Sequence, residues 1–170
     1  MRTGSSRSKA AQPAEAYDTV LRLLGRRDHS REELRRKLAR RGHDQQTIEA
    51  ALGRVTELGH IDDQAFARSY VGRRALVRGP RAIAAELAAR GVDRSSSEAA
   101  LAGFGATEQL QAAIRLVERA CVREPEMSYR EMLNKVGSRL LRRGFQAQVV
   151  QAACRAVLGA QSGGKDEAPD

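Results

Sequence analysis

The side chains that could do chemistry in this chain are overwhelmingly cationic. From Arg22 to Arg41 there are nine basic and three acidic residues, and from Lys135 to Arg155 five basic and none acidic. Arg68, Arg73, Arg74, Arg78 and Arg81 make a third group. Over 170 residues, 26 Arg and 4 Lys against 21 Asp plus Glu leave a formal charge of +9. An Arg-for-Lys bias follows GC-rich coding as readily as function. The net charge is physical either way, because it raises the local concentration of anionic partners. Nucleic acid, an acidic protein surface or a nucleoprotein assembly are what such a chain attracts.

Other chemistry is thin. The three histidines, His29, His43 and His60, form no His-x3-His pair, and each falls at an expected helix boundary. Capping and turn contacts suit them better than metal or catalysis. Cys121 and Cys154 are too few and too far apart for a CxxC metal site or a disulfide scaffold. Buried, inert thiols are the expectation. Asp62-Asp63 offers adjacent carboxylates with no third ligand and no base nearby, so it reads as a helix N-cap. Gly159-x4-Gly164-Lys165-Asp166 nearly spells a phosphate-binding loop, but Asp stands where the magnesium-binding hydroxyl belongs and no strand precedes it. The sequence therefore predicts no enzyme, no metal and no cofactor.

The elements that carry the cations are helical. Apolar residues recur at helical spacing almost throughout: Val20, Leu23 and Leu24, with Tyr17 a turn earlier; Leu34 and Leu38; Ile48, Leu52 and Val55. The pattern continues with Phe66, Tyr70 and Val71; Ile83 and Leu87; Leu110, Ile114 and Val117; Met132, Val136 and Leu140; and Val149, Ala153 and Val157. Ser30-x-x-Glu33 and Ser128-x-x-Glu131 have capping-box form, and Pro80 suits a first helical position. Gly42, Gly59, Gly91 and Gly144 are placed to end helices in the left-handed conformation. These signals predict about nine helices, with the segment Ser95–Leu101 poorest in bulky apolar residues. No run of about 18 apolar residues could span a membrane. The N-terminus shows no secretory signal, so a cytoplasmic protein is expected. Few aromatics, 4% of the chain, argue against a stacking platform for single-stranded bases.

The pattern repeats. Leu34-x3-Leu38-x2-Arg41-Gly42 returns as Ile83-x3-Leu87-x2-Arg90-Gly91, shifted by 49, and as Val136-x3-Leu140-x2-Arg143-Gly144, shifted by a further 53. Asp44 and Asp93 follow two residues after the first two glycines, and Ala51, Ala100 and Ala153 nine residues after all three. The four extra residues of the third copy fit one added helical turn. The sequence thus predicts an all-α chain of three tandem three-helix repeats, 13–59, 60–105 and 106–158, forming an elongated curved body. A disordered basic arm over 1–12 and a flexible tail over 159–170 flank it.

Four motifs resemble one family. Arg27-Asp28-His29-Ser30-x-x-Glu33-Leu34-x-x-Lys37-Leu38 and Gly59-His60-Ile61-Asp62-Asp63-x2-Phe66-Ala67-x2-Tyr70-Val71 are similar to the first two signatures of the RecX family, regulators of the RecA recombinase. Gly79-x3-Ile83-x2-Glu86-Leu87-x3-Gly91-Val92 and Lys135-x4-Leu140-x2-Arg143-Gly144-Phe145 fit the later ones, in order, over roughly 15–158. The resemblance implies tandem three-helix repeats, binding in the groove of the RecA–DNA filament, and negative modulation of RecA. It implies no enzymatic activity of its own.

On this reading the candidate partner-binding cations are Arg35, Arg36, Lys37, Arg40 and Arg41; Arg73, Arg74 and Arg78; and Lys135, Arg139, Arg142 and Arg143. On the second helix, Leu34 and Leu38 face inward, leaving Arg36 with Arg40 and Lys37 with Arg41 as outward neighbours. Glu32–Arg36 and Glu33–Lys37 are ordinary i,i+4 pairs in a solvated face, the plainer account of that helix. The expected partners are the RecA filament and, nonspecifically, DNA, with the chain a monomer. Two other classes stay open from the residues alone. A helix-turn-helix regulator would use Ser30–Val55, although Gln45, Gln46 and Glu49 are a poor recognition surface. A helical-repeat adaptor would bind some other acidic protein.

Overall fold

Nine helical rods follow one another among the described residues, with no strand. The structure is a computed structural model and describes residues 11–122, 124 and 127–163. The rods are α1 (Ala11–Leu24), α2 (Arg31–Ala39), α3 (Gln45–Glu57), α4 (Asp63–Arg74), α5 (Pro80–Ala89), α6 (Arg94–Ala102) and α7 (Ala106–Cys121). The eighth is continuous over 129–142: α8 (Tyr129–Met132), a π-helical turn (Leu133–Gly137) and α9 (Ser138–Arg142). α10 (Ala147–Gly163) is the ninth. No helix among the described residues is long and apolar enough to cross a membrane. Residues 11 and 12 of the expected arm belong to α1, and the first five residues of the expected tail extend α10. The remainder of both segments lies outside the described residues.

The ends of the rods explain their lengths. Asp44 caps α3 by accepting from the Thr47 amide at 2.8 Å, and Asp93 caps α6 by accepting from Ser96 at 2.9 Å. The two aspartates of the repeated motif thus do one job, and α6 forms despite its small residues because its cap is sound. Ser128 and Glu131 complete a reciprocal capping box. Ser30 forms only half of one: it accepts from the Glu33 amide at 3.1 Å, but the Glu33 carboxylate turns to Arg27, His29 and Arg90. Charge-assisted bonds to those groups outcompete a neutral backbone amide.

Each repeated glycine ends its rod in the same way. Gly42, Gly91 and Gly144 have φ of 85°, 74° and 88°. The amide of the residue after each glycine reaches back to Leu38, Leu87 and Leu140 at 3.3, 3.1 and 3.2 Å, the bond of a Schellman motif.

The chain divides into two compact units, 1–67 with 87–97, and 68–86 with 98–170, so the boundary falls inside α4, α5 and α6. In the first, α1 and α2 pack on α3 around Val20, Leu34, Leu38, Ile48, Leu52 and Val55, all at most 1% exposed. In the second, α10 lies along α7 and the 129–142 rod, and Val117, Met132, Leu140, Ala153 and Cys154 are buried. α10 presents Ala153 and Val157 to this core as expected, with Val150 buried beside them in place of the half-buried Val149. Both cysteines are free and buried, and burial raises both thiols above the ordinary value.

Candidate functional site

The electrostatics of the first unit are set by where its carboxylates fall. Arg35 reaches Glu49 at 2.8 Å and also pairs with Glu32, and these bonds push its guanidinium further toward the charged form. Arg36 bonds Glu32 at 2.9 Å, the expected i,i+4 pair, and donates to the Ala89 carbonyl at 2.8 Å. Glu33, expected to pair with Lys37, bonds Arg27 and His29 instead, at 3.1 and 3.0 Å. The His29 ring is buried and its pKa is lowered by desolvation, against the opposing bond to Glu33. Arg35 and Arg36 are thus already committed to the fold. Lys37, Arg40 and Arg41 form no ion pair among the described residues. Arg40 and Arg41 donate only to the carbonyls of Arg36 and Lys37, both at 3.3 Å, so their charge projects from the C-terminal end of α2.

Asp62 and Asp63 divide their work. Asp62 accepts from the Gln64 and Ala65 amides at 2.8 and 2.9 Å and so caps α4. Asp63 accepts from the Arg31 amide at 2.8 Å, at the start of α2, and burial raises its pKa. The pair is structural.

In the second unit, Arg74 grips Glu86 through two bonds of 2.8 Å each, and Arg78 approaches the same carboxylate at 3.5 Å. The Tyr70 hydroxyl donates to Glu86 as well. Arg74 holds the Glu86 carboxyl at about 2, below its ordinary value, with Tyr70 adding to the effect. A partly exposed pair of this kind contributes on the order of 1 kcal/mol. Arg73 donates to Ser69. Arg74, with Arg78 beside it, thus joins α4 to α5 through Glu86.

The remaining cations converge. A groove of about 440 Å³ opens between the C-terminal half of α7 and the 129–142 rod. Arg119, Lys135, Arg139 and Arg143 line it, with Glu124 as the single carboxylate among the described residues. Its apolar wall is Val77, Leu116, Met127, Val136 and Leu140. Lys135 bonds Glu124 at 2.6 Å, which raises the lysine's pKa. Arg119, Arg139 and Arg143 form no ion pair among the described residues. Lys135 and Val136 both lie in the π turn, a departure from α geometry found frequently at functional sites. Gly137 lets this turn approach α10: a Cβ there would stand 3.1 Å from Val150 Cγ1.

Arg143 is held by its backbone, because its carbonyl accepts from the Gly79 amide at 2.8 Å. Gly144 abuts α5 so closely that a Cβ would come within 2.3 Å of the Ala82 nitrogen. The arginine therefore leaves a fixed corner. Arg142 is exposed but does not line the groove. Arg119, which does, escaped the sequence reading because α7 was read for its apolar stripe alone; Arg115-x3-Arg119 was the available signal. Among the described residues no group of His, Cys, Asp and Glu could hold a metal ion.

Comparison with known proteins bears on this geometry. Residues 16–54 match the model of the first three-helix domain of RecX, and residues 62–101 that of the second. The chain is similar to the regulatory protein RecX of Mycolicibacterium vanbaalenii, with 40% identity over 153 residues, 79% of this chain and 83% of that one. It is 34% identical over 138 residues to RecX of Geobacillus thermodenitrificans, covering 80% of this chain but only 51% of that longer relative. The crystal structure of RecX from Lactobacillus salivarius matches with a TM-score of 0.77 and 26% identity, over 87% of this chain and 97% of that chain. Two three-helix domain matches in the right order, and relatives sharing this much sequence over most of their length, make the chain a member of the RecX family of regulatory proteins.

Proposed function

We propose that this chain is a non-enzymatic regulator, mainly an inhibitor, of the RecA recombinase, and that it acts from the groove of the RecA–DNA filament. Its three repeats would share the binding, and the protein would work as a monomer in the cytoplasm. Family membership supports the identity of the target. One observation of this chain supports the mode: cations without a carboxylate partner among the described residues gather at the α2 corner (Lys37, Arg40, Arg41) and around the groove of the second unit (Arg119, Arg139, Arg143). Several modest electrostatic contacts on one chain add into a durable association, because the ordering cost is shared. Occupying the filament groove would impede strand exchange and the coupled ATP hydrolysis, and would shorten filaments. DNA phosphate would be contacted without sequence preference.

The rival reading as a sequence-specific regulator fares worse. Gln45 bonds Glu49, and Glu49 bonds Arg31 and Arg35, so the polar face of α3 is tied to α2. A recognition helix needs that face free for base edges.

The test adds purified protein, below stoichiometry, to RecA, single-stranded DNA and ATP. ATP hydrolysis and mean filament length are expected to fall together. If both stay unchanged across the titration, the proposal is wrong.

A further inference from the structure

The groove of the second unit has an apolar wall that a phosphate-binding surface does not require. We propose that it docks an acidic stretch of polypeptide carrying one large apolar side chain, in preference to nucleic acid. The inference rests on the reading that the cations of this unit face a partner, and it adds what that partner is made of.

Charge complementarity fixes the sign. Among the described residues four cations line the groove against one carboxylate, and that carboxylate, Glu124, is already bonded to Lys135 at 2.6 Å. Arg119, Arg139 and Arg143 are left for an incoming anion. Each guanidinium presents a planar fork that fits a carboxylate through two parallel bonds. The Glu124–Lys135 pair shows on a small scale the contact an external carboxylate would make.

The wall fixes the rest. Val77 and Leu116, half-buried, offer alkyl surface to a guest, while Val136, Leu140 and Met127, at most 8% exposed, back the wall from the core. Removing such surface from water against an apolar side chain is worth roughly 25 cal/mol per Å². A phosphodiester backbone gains nothing from it. Bases would gain only by stacking, and no aromatic among the described residues lines the groove. The cavity volume is in the range of sites that enclose a small ligand or an anchoring side chain.

The π turn is a second, independent observation. It places Lys135 and Val136, one cation and one wall residue, at the groove together. Such turns are frequent at functional sites.

The experiment measures fluorescence anisotropy of the full chain with three labelled probes. These are a short Asp/Glu-rich peptide with a single central leucine, the same peptide with serine in place of that leucine, and a mixed-sequence single-stranded oligonucleotide. The leucine peptide is expected to bind about ten-fold more tightly than the serine peptide. Arg139→Glu with Arg119→Glu should weaken it at least about ten-fold. Glu124→Gln, which releases Lys135 and removes the competing carboxylate, should strengthen it several-fold, a gain that misfolding cannot mimic. Equal binding of the two peptides, or a Glu124→Gln variant that binds no better than wild type, overturns the inference. The same variants are assayed on RecA ATP hydrolysis. Peptide binding with no effect on RecA would overturn the proposed function and leave the groove assignment standing; RecA inhibition with no leucine preference would do the reverse.

Discussion

Ser30 and Arg90, sixty residues apart, meet where the serine hydroxyl donates to the arginine carbonyl at 2.6 Å. A main-chain counterpart occurs at the equivalent place in the next copy: the Gly79 amide donates to the Arg143 carbonyl at 2.8 Å. Ser30 and Gly79 are 49 residues apart, and Arg90 and Arg143 are 53 apart, the shifts that relate the repeated motifs. The Arg-Gly corner that ends one copy's second helix is thus joined to the residue before the preceding copy's second helix. Gly91 lies within 2.3 Å, Cβ to Cβ, of Glu32, and Gly144 within 2.3 Å of Ala82 N, when a Cβ is built on each glycine. Gly42, which has no preceding copy, faces open space.

That joint makes Ser30→Ala costly. The substitution removes the cap of α2 and leaves the Arg90 carbonyl without its donor, at a fully buried position. A loss of about 2 kcal/mol is expected, against about 1 kcal/mol or less for Ser128→Ala at an exposed cap. Urea denaturation of the two variants compares them directly, and equal losses would contradict the role given to Arg90.

The glycines separate conformational strain from crowding. Gly42→Ala meets only the left-handed backbone penalty, about 1 to 2 kcal/mol. Gly144→Ala adds a collision with Ala82 and is expected to cost at least about 3 kcal/mol, or to prevent folding of the second unit. Unfolding midpoints that shift equally for both would show that the corner at Gly144 is looser than described.

Glu86 gives the fold an acid-side pH dependence. Its carboxyl is held at about 2 rather than 4.5 by Arg74 first and Tyr70 second. A carboxyl depressed in the folded state binds its proton more weakly there than in the unfolded chain. Its stabilising contribution is therefore complete above about pH 4.5 and is lost as the pH falls toward about 2. Glu86→Gln should be less stable at neutral pH and show a shallower decline across that window. Urea midpoints that run parallel for the two proteins would refute the assignment.

Arginines bound within the fold and arginines facing outward should separate in assays. Arg35→Ala, which strips Glu49 and Glu32 of a partner, is expected to lower stability by about 1 kcal/mol while inhibition of RecA is preserved. Arg139→Ala with Arg143→Ala should leave the unfolding midpoint nearly unchanged, raise the concentration needed for half-inhibition about ten-fold, and reduce its salt sensitivity. The reverse pattern would show that the groove arginines are structural.

These distinctions mark how far the sequence could be read. The rods and their ends were legible because Schellman glycines and aspartate caps act within a few residues. The Glu32–Arg36 pair was legible for the same reason. Arg74 with Glu86 and Arg35 with Glu49 were not, since their partners lie 12 and 14 residues away on another helix. The half-formed box at Ser30 depends on Arg90, which only the tertiary fold brings near. In α10 Ala153 and Val157 were legible, but adjacent valines at 149 and 150 left the first member of the stripe ambiguous, and it is Val150 that is buried. Of the twelve candidate cations, Lys135, Arg139 and Arg143 do share one groove. The π turn that helps to present them has no sequence signature we could use.

The seam at Arg143 is made wholly of main chain, whereas the seam at Arg90 hangs on the Ser30 hydroxyl. A point substitution can therefore weaken the earlier seam by deleting one oxygen, while the later one has no side-chain atom to lose.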